Sequence, residues 1–251
     1  VRKVVNEAPE IAAFATDVDS ALKNQADGKI SIFLGLENGS PLDPAGDWKK
    51  TLADFYKAGV RYITLCHSRH NAICDSCAPA EPKWNGLSAF GREVIAQMNS
   101  LGILVDVSHI SDAAFYDVLE CSSRPVVATH SCCRALAGHP RNMTDDMIRT
   151  LAEHGGVAGL NFYSEFVNSR RDGVTSVEDL VAHVMHFIKI GGEDCIGIGT
   201  DYDGIENVPE ISNPTQMLLL FDALQKKGVT PRQLDKLASG NVLRVIKEAM
   251  K

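Results

Sequence analysis

The segment from Gly102 to His130 constrains the fold more than any other part of the chain. It reads GILVDVSH, then the helix-length stretch ISDAAFYDVLECSS, then RPVVATHS. Both apolar runs end in a histidine, His109 and His130. The pattern predicts two parallel β-strands joined by a helix, with an imidazole at the carboxyl end of each strand. In a parallel α/β barrel these ends share one face, which is where active sites lie.

The rest of the chain repeats this alternation. Six apolar strands are predicted near residues 30, 61, 103, 125, 156 and 195, each followed by a helix or a long loop, which indicates an α/β fold with a parallel sheet. Ligand-type residues follow five of the six strands: Glu37, His67, His109, His130 and Asp201. A barrel gathers such residues around one mouth, whereas an open sheet spreads them along an edge. We therefore predict a (β/α)8 TIM-like barrel whose first two βα units are absent, so that residues 1–251 form a single, N-terminally incomplete catalytic domain.

Local signals fix several boundaries. Apolar spacing predicts one helix over residues 4–25, and KISIFLGLE predicts one buried strand over Lys29 to Glu37. Thr144 and Ser176 are predicted to cap helices, and Thr230 followed by Pro231 fits a capping box with proline at the first helical position.

Charge and cysteine usage limit the class of partner and the compartment. The formal net charge of -7 argues against nucleic acid and anionic membranes as partners, and no apolar run is long enough to span a bilayer. Seven cysteines, two of them adjacent, cannot form a complete disulfide set. With no signal peptide in the sequence, we predict a cytoplasmic protein. Cys74 and Cys77 form a lone CxxC, interpreted as free loop thiols, with a redox or disulfide role as the alternative.

The strand-end residues point to a metal. Glu37 directly follows the apolar run IFLGL, and a carboxylate in that position needs a metal or a donor partner. His109 and His130 could each bond a backbone carbonyl, but their matching positions on consecutive strands favour metal ligation. The histidines within predicted helices are interpreted as structural: His154, His183 and His186.

Two further residues have candidate roles in chemistry. Asp201, at a strand end beside a metal, is well placed to move a proton. Asp201 and Asp203 do not form a calcium loop, because no glutamate follows at the required spacing. Arg141, in HPRN, is either a surface cation or a bidentate clamp for a substrate carboxylate.

Nine ordered motifs carry a family resemblance from about Glu37 to the C-terminal helix: GLENG, RYITLCHSRHN, NGLSAFGREVI, LGILVDVSHIS, PVVATHS, HPRNMTDD, GLNFY, IGIGTDYDG and GNVLRV. Together they resemble the zinc dipeptidases of the membrane (renal) dipeptidase family, in the amidohydrolase superfamily. The resemblance implies a barrel of the metal-dependent hydrolase type with two zinc ions. It implies that Glu37 bridges both metals and that His109 and His130 bind the second zinc. The family's His-x-Asp pair, which completes the first metal site, has no counterpart before Glu37.

The resemblance also assigns substrate and catalytic residues. His67 is similar to the histidine that contacts the substrate carbonyl, Arg141 to the residue that holds the C-terminal carboxylate, and Asp201 to the acid that shuttles the proton. Tyr163 falls where the family lines its substrate pocket. The implied function is hydrolysis of small dipeptides by a zinc-activated hydroxide, with a D-residue allowed at the C-terminal position.

Two alternatives remain open at this point. The chain could belong to another amidohydrolase that acts on lactams or N-acyl amino acids, or to a non-catalytic homologue that lacks the first metal site. The expected partner is a small dipeptide, with no nucleic acid and no membrane segment. A homodimer and a separate chain that supplies the missing N-terminal segment are further expectations.

Overall fold

The computed structural model describes residues 1–170, 172–206 and 209–250. Parallel β-strands alternate with α-helices along this part of the chain. The strands are β1 Ala12–Phe14, β2 Ile30–Ile32, β3 Leu34–Glu37, β4 Val60–Thr64, β5 Leu104–Asp106, β6 Val127–Ser131, β7 Val157–Leu160 and β8 Ile196–Ile198. The helices are α1 Arg2–Glu7, α2 Val18–Ala26, α3 Trp48–Lys57, α4 Ala89–Leu101, α5 Asp112–Cys121, α6 Asp145–Glu153, α7 Ser164–Val167, α8 Val177–Gly191, α9 Leu218–Lys226, α10 Pro231–Asp235 and α11 Asn241–Ala249.

The strands form two parallel sheets. Strands β3 to β8 make a six-stranded sheet in sequence order, and β1 pairs with β2 in a separate two-stranded sheet. The prediction of an α/β fold with parallel strands is confirmed. The pairing does not show a closed barrel, because among the described residues no ladder joins β8 back to β3.

The N-terminal prediction was wrong. Instead of one helix over residues 4–25, the chain forms α1, then β1, then α2. Pro9 follows α1 and cannot continue a helix, since it lacks an N–H. Asp17 then starts α2 with a reciprocal capping box to Ser20. Between these two helices, Ala12–Phe14 pairs in parallel with Ile30–Ile32.

The predicted strand over Lys29 to Glu37 is divided. Phe33 separates β2 from β3, so that β2 pairs with β1 while β3 pairs with β4. One continuous apolar run therefore serves two sheets, which its hydropathy alone does not reveal.

The predicted helix starts are confirmed. Thr144 accepts a hydrogen bond from the Met147 amide, and Ser176 and Thr230 each form a complete capping box. These caps satisfy amide groups that have no partner within the helix.

Helices pack against the sheet: α3 contacts β4, α4 contacts β5, and both α8 and α11 contact β7 and β8. The main core holds the largest buried side chains, among them Phe115, Phe162 and Phe187. A second cluster joins Leu104 and Val127 to Ile246 of α11. Beside it lies an apolar cavity of about 230 Å³, here termed the floor cavity, lined by Phe33, Arg61, Tyr62, Leu104, Val127, Thr129, Gly159, Ile198, Val242, Ile246 and Met250.

All seven cysteines are free thiols. Cys74 is buried and Cys77 is partly buried, and burial raises the pKa of both thiols. Among the described residues, no helix combines the length and the apolar character that crossing a bilayer requires.

Candidate metal centre

Four predicted site residues meet at the carboxyl ends of neighbouring strands. Glu37 is the last residue of β3, His67 follows β4, His109 follows β5, and His130 lies near the end of β6. Because β3 to β6 are adjacent in the sheet, these four side chains converge without any need for a closed barrel. They are termed here the four-residue cluster.

One carboxylate oxygen is the centre of this cluster. Glu37 Oε1 lies 3.1 Å from His109 Nε2, 3.5 Å from His130 Nε2 and 3.7 Å from His67 Nε2. The Nε2 atoms of His109 and His130 are 2.8 Å apart. Glu37, His67 and His109 each offer a ligand atom within 4.8 Å of the others.

The electrostatics favour neutral imidazoles. Burial lowers the pKa of His109 to about 3, with the charges of Arg141 and His67 adding to the effect. Burial and Arg141 also lower the pKa of His130. A neutral imidazole is the form that binds a metal.

The donor set fits a metal ion. A carboxylate with imidazole nitrogens is a typical zinc ligand set. Tetrahedral binding to one zinc at 2.0–2.1 Å would place two nitrogens about 3.3–3.4 Å apart, so the 2.8 Å between His109 and His130 Nε2 would have to widen by about half an ångström. Before Glu37, the Asp17 carboxylate is engaged as the cap of α2, where it accepts a hydrogen bond from the Ser20 amide.

His67 has a wider set of contacts than the sequence suggested. The resemblance assigned it to the substrate carbonyl, whereas its Nε2 also lies within reach of the Glu37 carboxylate. Its side chain is 47% exposed, against 14% for His109 and 12% for His130. It is therefore the imidazole of the cluster most accessible to a substrate.

Several strand ends at the site have left-handed backbone conformations. The φ angles are +95° at Asn38, +71° at His109 and +62° at Asp201. This region is unfavourable for side chains other than glycine, although asparagine, aspartate and histidine tolerate it best. Such strain concentrates at functional sites, where the surrounding structure holds it in place.

Asp201 is held by a residue that the sequence analysis missed. Asn161 Nδ2 donates to Asp201 Oδ2 at 3.0 Å, and Asn161 Oδ1 accepts from the Tyr163 amide at 2.6 Å. Asn161 follows β7 and is completely buried. The available signal was its place after the one predicted strand to which no ligand-type residue had been assigned.

These residues open onto a pocket of about 300 Å³, termed here the site pocket. Its lining includes five predicted residues, Glu37, His67, His109, Tyr163 and Asp201, together with Phe166, Gly204, Ile205 and Glu206. Glu37 ends β3 and Asp201 follows β8, the two edge strands of the six-stranded sheet, and yet both line the same pocket, so the sheet must curl around it. Phe166 and Glu206 were not predicted.

Arg141 is buried rather than a surface cation. Its guanidinium donates to the His130 carbonyl at 3.0 Å and lies 5.5 Å from the centre of the Phe166 ring. Among the described residues, its buried Nε has no hydrogen-bond partner. Burial lowers the Arg141 pKa from its usual value. A buried guanidinium with an unused donor is suited to an anionic group.

Asp106, also missed by the sequence analysis, lies buried beneath the cluster at the end of β5. It accepts hydrogen bonds from the hydroxyls of Thr64 and Thr129 and from two backbone amides. Burial alone would raise the pKa of Asp106, but the neighbouring His130 imidazole and the hydrogen bonds donated by Thr129 and Thr64 lower it. The carboxylate is therefore ionised although it is fully buried.

The helix histidines do not line the site pocket. His183 Nε2 donates to the Val167 carbonyl at 2.7 Å while Nδ1 accepts from the Cys133 amide. His186 bonds to Asp145, and His154 ends α6.

Comparison with known proteins covers the whole chain. The membrane dipeptidase family, peptidase family M19, matches residues 1–251. An uncharacterized dipeptidase from Schizosaccharomyces pombe is 35% identical over 238 residues, which are 93% of this chain and 56% of that protein. Dipeptidase aclJ from Aspergillus oryzae is 33% identical over 249 residues, or 98% of this chain and 58% of that protein. The chain thus spans less than three fifths of the length of these relatives.

Solved structures agree in fold. A metallopeptidase from Rhodobacter sphaeroides, liganded with a phosphinate mimic of the dipeptide L-Ala-D-Ala, is 28% identical with a TM-score of 0.86 over 94% of this chain and 68% of its own. An amidohydrolase from Pseudomonas aeruginosa is 25% identical with a TM-score of 0.89 over 99% of this chain and 82% of its own. The fold is therefore of the amidohydrolase TIM-barrel type. The chain belongs to the membrane dipeptidase family, peptidase family M19.

Proposed function

We propose that the protein containing this chain is a zinc-dependent dipeptidase that hydrolyses the peptide bond of small dipeptides. The observation that carries the proposal is the four-residue cluster, in which one Glu37 oxygen lies within 3.7 Å of three imidazole nitrogens at the edge of the site pocket.

Glu37, His109 and His130 would hold the metal. When bound, the metal supplies an activated water and polarises the scissile carbonyl. The proposal includes two ions per intact protein, and Glu37 would be among the residues that hold them.

The pocket suits a short substrate with a free carboxylate. A volume of about 300 Å³ is at the lower end of the range for ligand pockets and favours two residues over a longer peptide. Arg141 would bind the C-terminal carboxylate through the donor that has no partner in the described part of the chain. Tyr163 and Phe166 would form the wall beside it. A D-residue at that end is proposed because the Rhodobacter sphaeroides relative holds a mimic of L-Ala-D-Ala.

The remaining side chains have distinct roles. Asp201, held by Asn161, would accept a proton from the attacking water and return it to the departing amine. His67, the most exposed imidazole, would donate a hydrogen bond to the substrate carbonyl oxygen as negative charge develops there.

The test is hydrolysis of a dipeptide panel by the full-length protein. L-Ala-L-Ala and L-Ala-D-Ala are assayed before metal removal, after complete removal by a chelator, and after zinc is restored. We expect activity to disappear with the metal and to return with zinc. Undiminished activity in the fully metal-free protein would refute the proposal.

The rival amidohydrolase function is separated by the substrate carboxylate. Wild-type protein should hydrolyse a dipeptide much faster than the matching dipeptide amide, and Arg141→Lys should lose most of this preference, because a lysine cannot form a bidentate pair. Equal rates on acid and amide in the wild type would favour an N-acyl or lactam substrate.

The non-catalytic alternative makes a different prediction. It requires one metal ion or none per full-length chain by elemental analysis, and no hydrolysis on any member of the panel. The cytoplasmic location, the homodimer and a separate N-terminal chain stay predictions, for which fractionation and sedimentation of the full-length protein are the measurements.

A further inference from the structure

We propose that Asp106 is a positioning residue that fixes the tautomer of His130 through Thr129. In this arrangement His130 carries its proton on Nδ1, so that Nε2 presents a lone pair to the metal. The inference rests on the proposed metal centre, but it concerns side chains of this chain only.

The first step is the direction of the bonds at Asp106. Its Oδ1 accepts from the Ser108 amide at 2.9 Å and from the Thr129 amide at 3.0 Å. Its Oδ2 accepts from the Thr64 and Thr129 hydroxyls, both at 2.6 Å. An ionised carboxylate only accepts hydrogen bonds, so the Thr129 hydroxyl gives its single proton to Asp106.

The second step follows at His130. Its Nδ1 lies 2.8 Å from Thr129 Oγ1, whose proton is already used. The imidazole must therefore donate from Nδ1, and a neutral ring then has its lone pair on Nε2. That Nε2 faces Glu37 Oε1 and His109 Nε2. Ser108 Oγ does not compete for the Thr129 proton, since it is 3.3 Å away and uncharged.

The third step is the rigidity of Thr129. A Cβ on Gly159 would lie 2.2 Å from the Thr129 carbonyl oxygen, and one on Gly199 would lie 1.9 Å from it. The backbones at Gly159 and Gly199 therefore pack closely against the Thr129 carbonyl, and the Thr129 amide donates a hydrogen bond to Asp106. Ser108 Oγ also accepts from the His130 amide at 3.1 Å. One carboxylate therefore braces the segments that carry His109 and His130.

The substitution Asp106→Asn should reverse the direction of the hydrogen bonds that link position 106 to His130 through the Thr129 hydroxyl. The two backbone amides on one side can only donate, so the asparagine oxygen must face them and its NH₂ must face the threonine hydroxyls. Thr129 Oγ1 then accepts from the asparagine and turns its own proton toward His130 Nδ1. His130 becomes the Nε2–H tautomer, which cannot bind a metal through Nε2.

Two measurements on the full-length protein test this. The ¹⁵N shifts of metal-free, histidine-labelled protein report the tautomer, with the His130 signals assigned by their absence in His130→Asn. Competition with a chromophoric chelator reports zinc affinity. We expect Nδ1–H in the wild type, Nε2–H in Asp106→Asn, and a zinc affinity about 10- to 100-fold weaker in that variant.

Three threonine variants complete the design, and they keep the test valid should Asp106→Asn not fold. Thr129→Ser retains the hydroxyl and should retain both the tautomer and the zinc affinity, whereas Thr129→Val should lose the fixed tautomer and weaken zinc binding. Thr64→Val is the matched control, because Thr64 bonds to Asp106 Oδ2 but not to His130. It should leave the tautomer unchanged.

The inference is overturned if the metal-free wild type shows Nε2–H at His130, or if Thr129→Val binds zinc as tightly as Thr129→Ser. Its failure is distinct from failure of the proposed function, because the tautomer is measured without metal or substrate. A protein with the Nδ1–H tautomer and no dipeptide hydrolysis would contradict the proposed function alone.

Discussion

The two ends of the six-stranded sheet differ in the kind of side chain that they bury. At the carboxyl ends, the site pocket lies over a buried carboxylate, Asp106, and a buried guanidinium, Arg141. At the floor cavity, Leu104 and Val127 pack on Ile246, and the charged residue in the lining, Arg61, is only partly buried. Buried polar groups are costly unless they are hydrogen-bonded, whereas apolar burial stabilises the fold directly. The first region should therefore control activity and the second should control stability.

The largest effect is expected from a ligand of the cluster. His109→Asn keeps a residue that tolerates the left-handed backbone at φ +71° but shortens the side chain away from Glu37. In the proposed function, loss of the metal would remove both water activation and carbonyl polarisation, each worth several kcal/mol, so kcat/KM for a dipeptide should fall on the order of 10⁴-fold or more. Thermal unfolding of the metal-free forms should be nearly unchanged. Activity within tenfold of wild type would contradict the assignment.

A smaller loss is expected at Asp201, the proposed proton-transfer residue. Asp201→Asn should lower kcat by about 10²- to 10⁴-fold, because a positioned acid–base group contributes that much. Zinc content should stay at the wild-type level. Asp203→Asn is the matched control, since Asp203 has a similar left-handed backbone, φ +66°, but is exposed and does not line the pocket. Equal losses in both variants would assign the effect to the loop and not to the carboxylate.

The floor cavity should show the opposite behaviour. Leu104→Ala should lower the free energy of unfolding by about 2–4 kcal/mol, because it removes buried methyl groups beside an existing cavity. Denaturant unfolding measures this, and kcat per folded molecule should not change. Leu104→Met, which keeps the volume, should cost less than about 1.5 kcal/mol. If Leu104→Ala greatly lowered kcat but left the free energy of unfolding unchanged, the proposal that the site pocket controls activity and the floor cavity controls stability would be contradicted.

The smallest effect concerns Asp179, a carboxylate that lines neither the site pocket nor the floor cavity. Hydrogen bonds from Arg170 and then from Ser176 hold the pKa of Asp179 at about 2, below its ordinary value of 3.8. A lowered pKa adds stability above pH ~4, and this contribution is lost as the pH falls from about 4 to 2. Because Arg170 is about half exposed, we expect only about 1 kcal/mol.

Acid unfolding of Asp179→Asn measures this contribution. The variant should be less stable than wild type at pH 6, and the difference should shrink between pH 4 and 2. A constant difference across that window would exclude the ion pair and the helix cap as its origin.

The sequence predicted those features that depend on neighbouring residues. The caps at Thr144, Ser176 and Thr230 need only nearby positions, and all three are formed. The N-terminal helix was wrong because β1 depends on pairing with Ile30–Ile32, a tertiary contact that overrides apolar spacing. The division of the following strand has the same origin, since its two halves have different partners.

The site was predictable where ligand-type residues follow apolar strands and hidden where a polar residue lies within one. Glu37 and His109 stand out at strand ends. Asp106 lies inside the apolar run GILVDV, where the sequence does not mark it as a strand end, and its partner Thr64 is 42 positions away. Such a group is recognisable only when the donors from three adjacent strands are seen together.

The left-handed conformations at Asn38, His109 and Asp201 restrict the residue types that are tolerated at these three positions. A saturation library at position 201 should recover folded protein chiefly with asparagine, glycine and aspartate, whereas valine, isoleucine and threonine should be depleted, since branching at Cβ is poorly tolerated there. Changes to the ligand preference of the site are therefore expected to succeed through Phe166 and Glu206 on the pocket wall, and to fail through exchange of the residues at the strand ends.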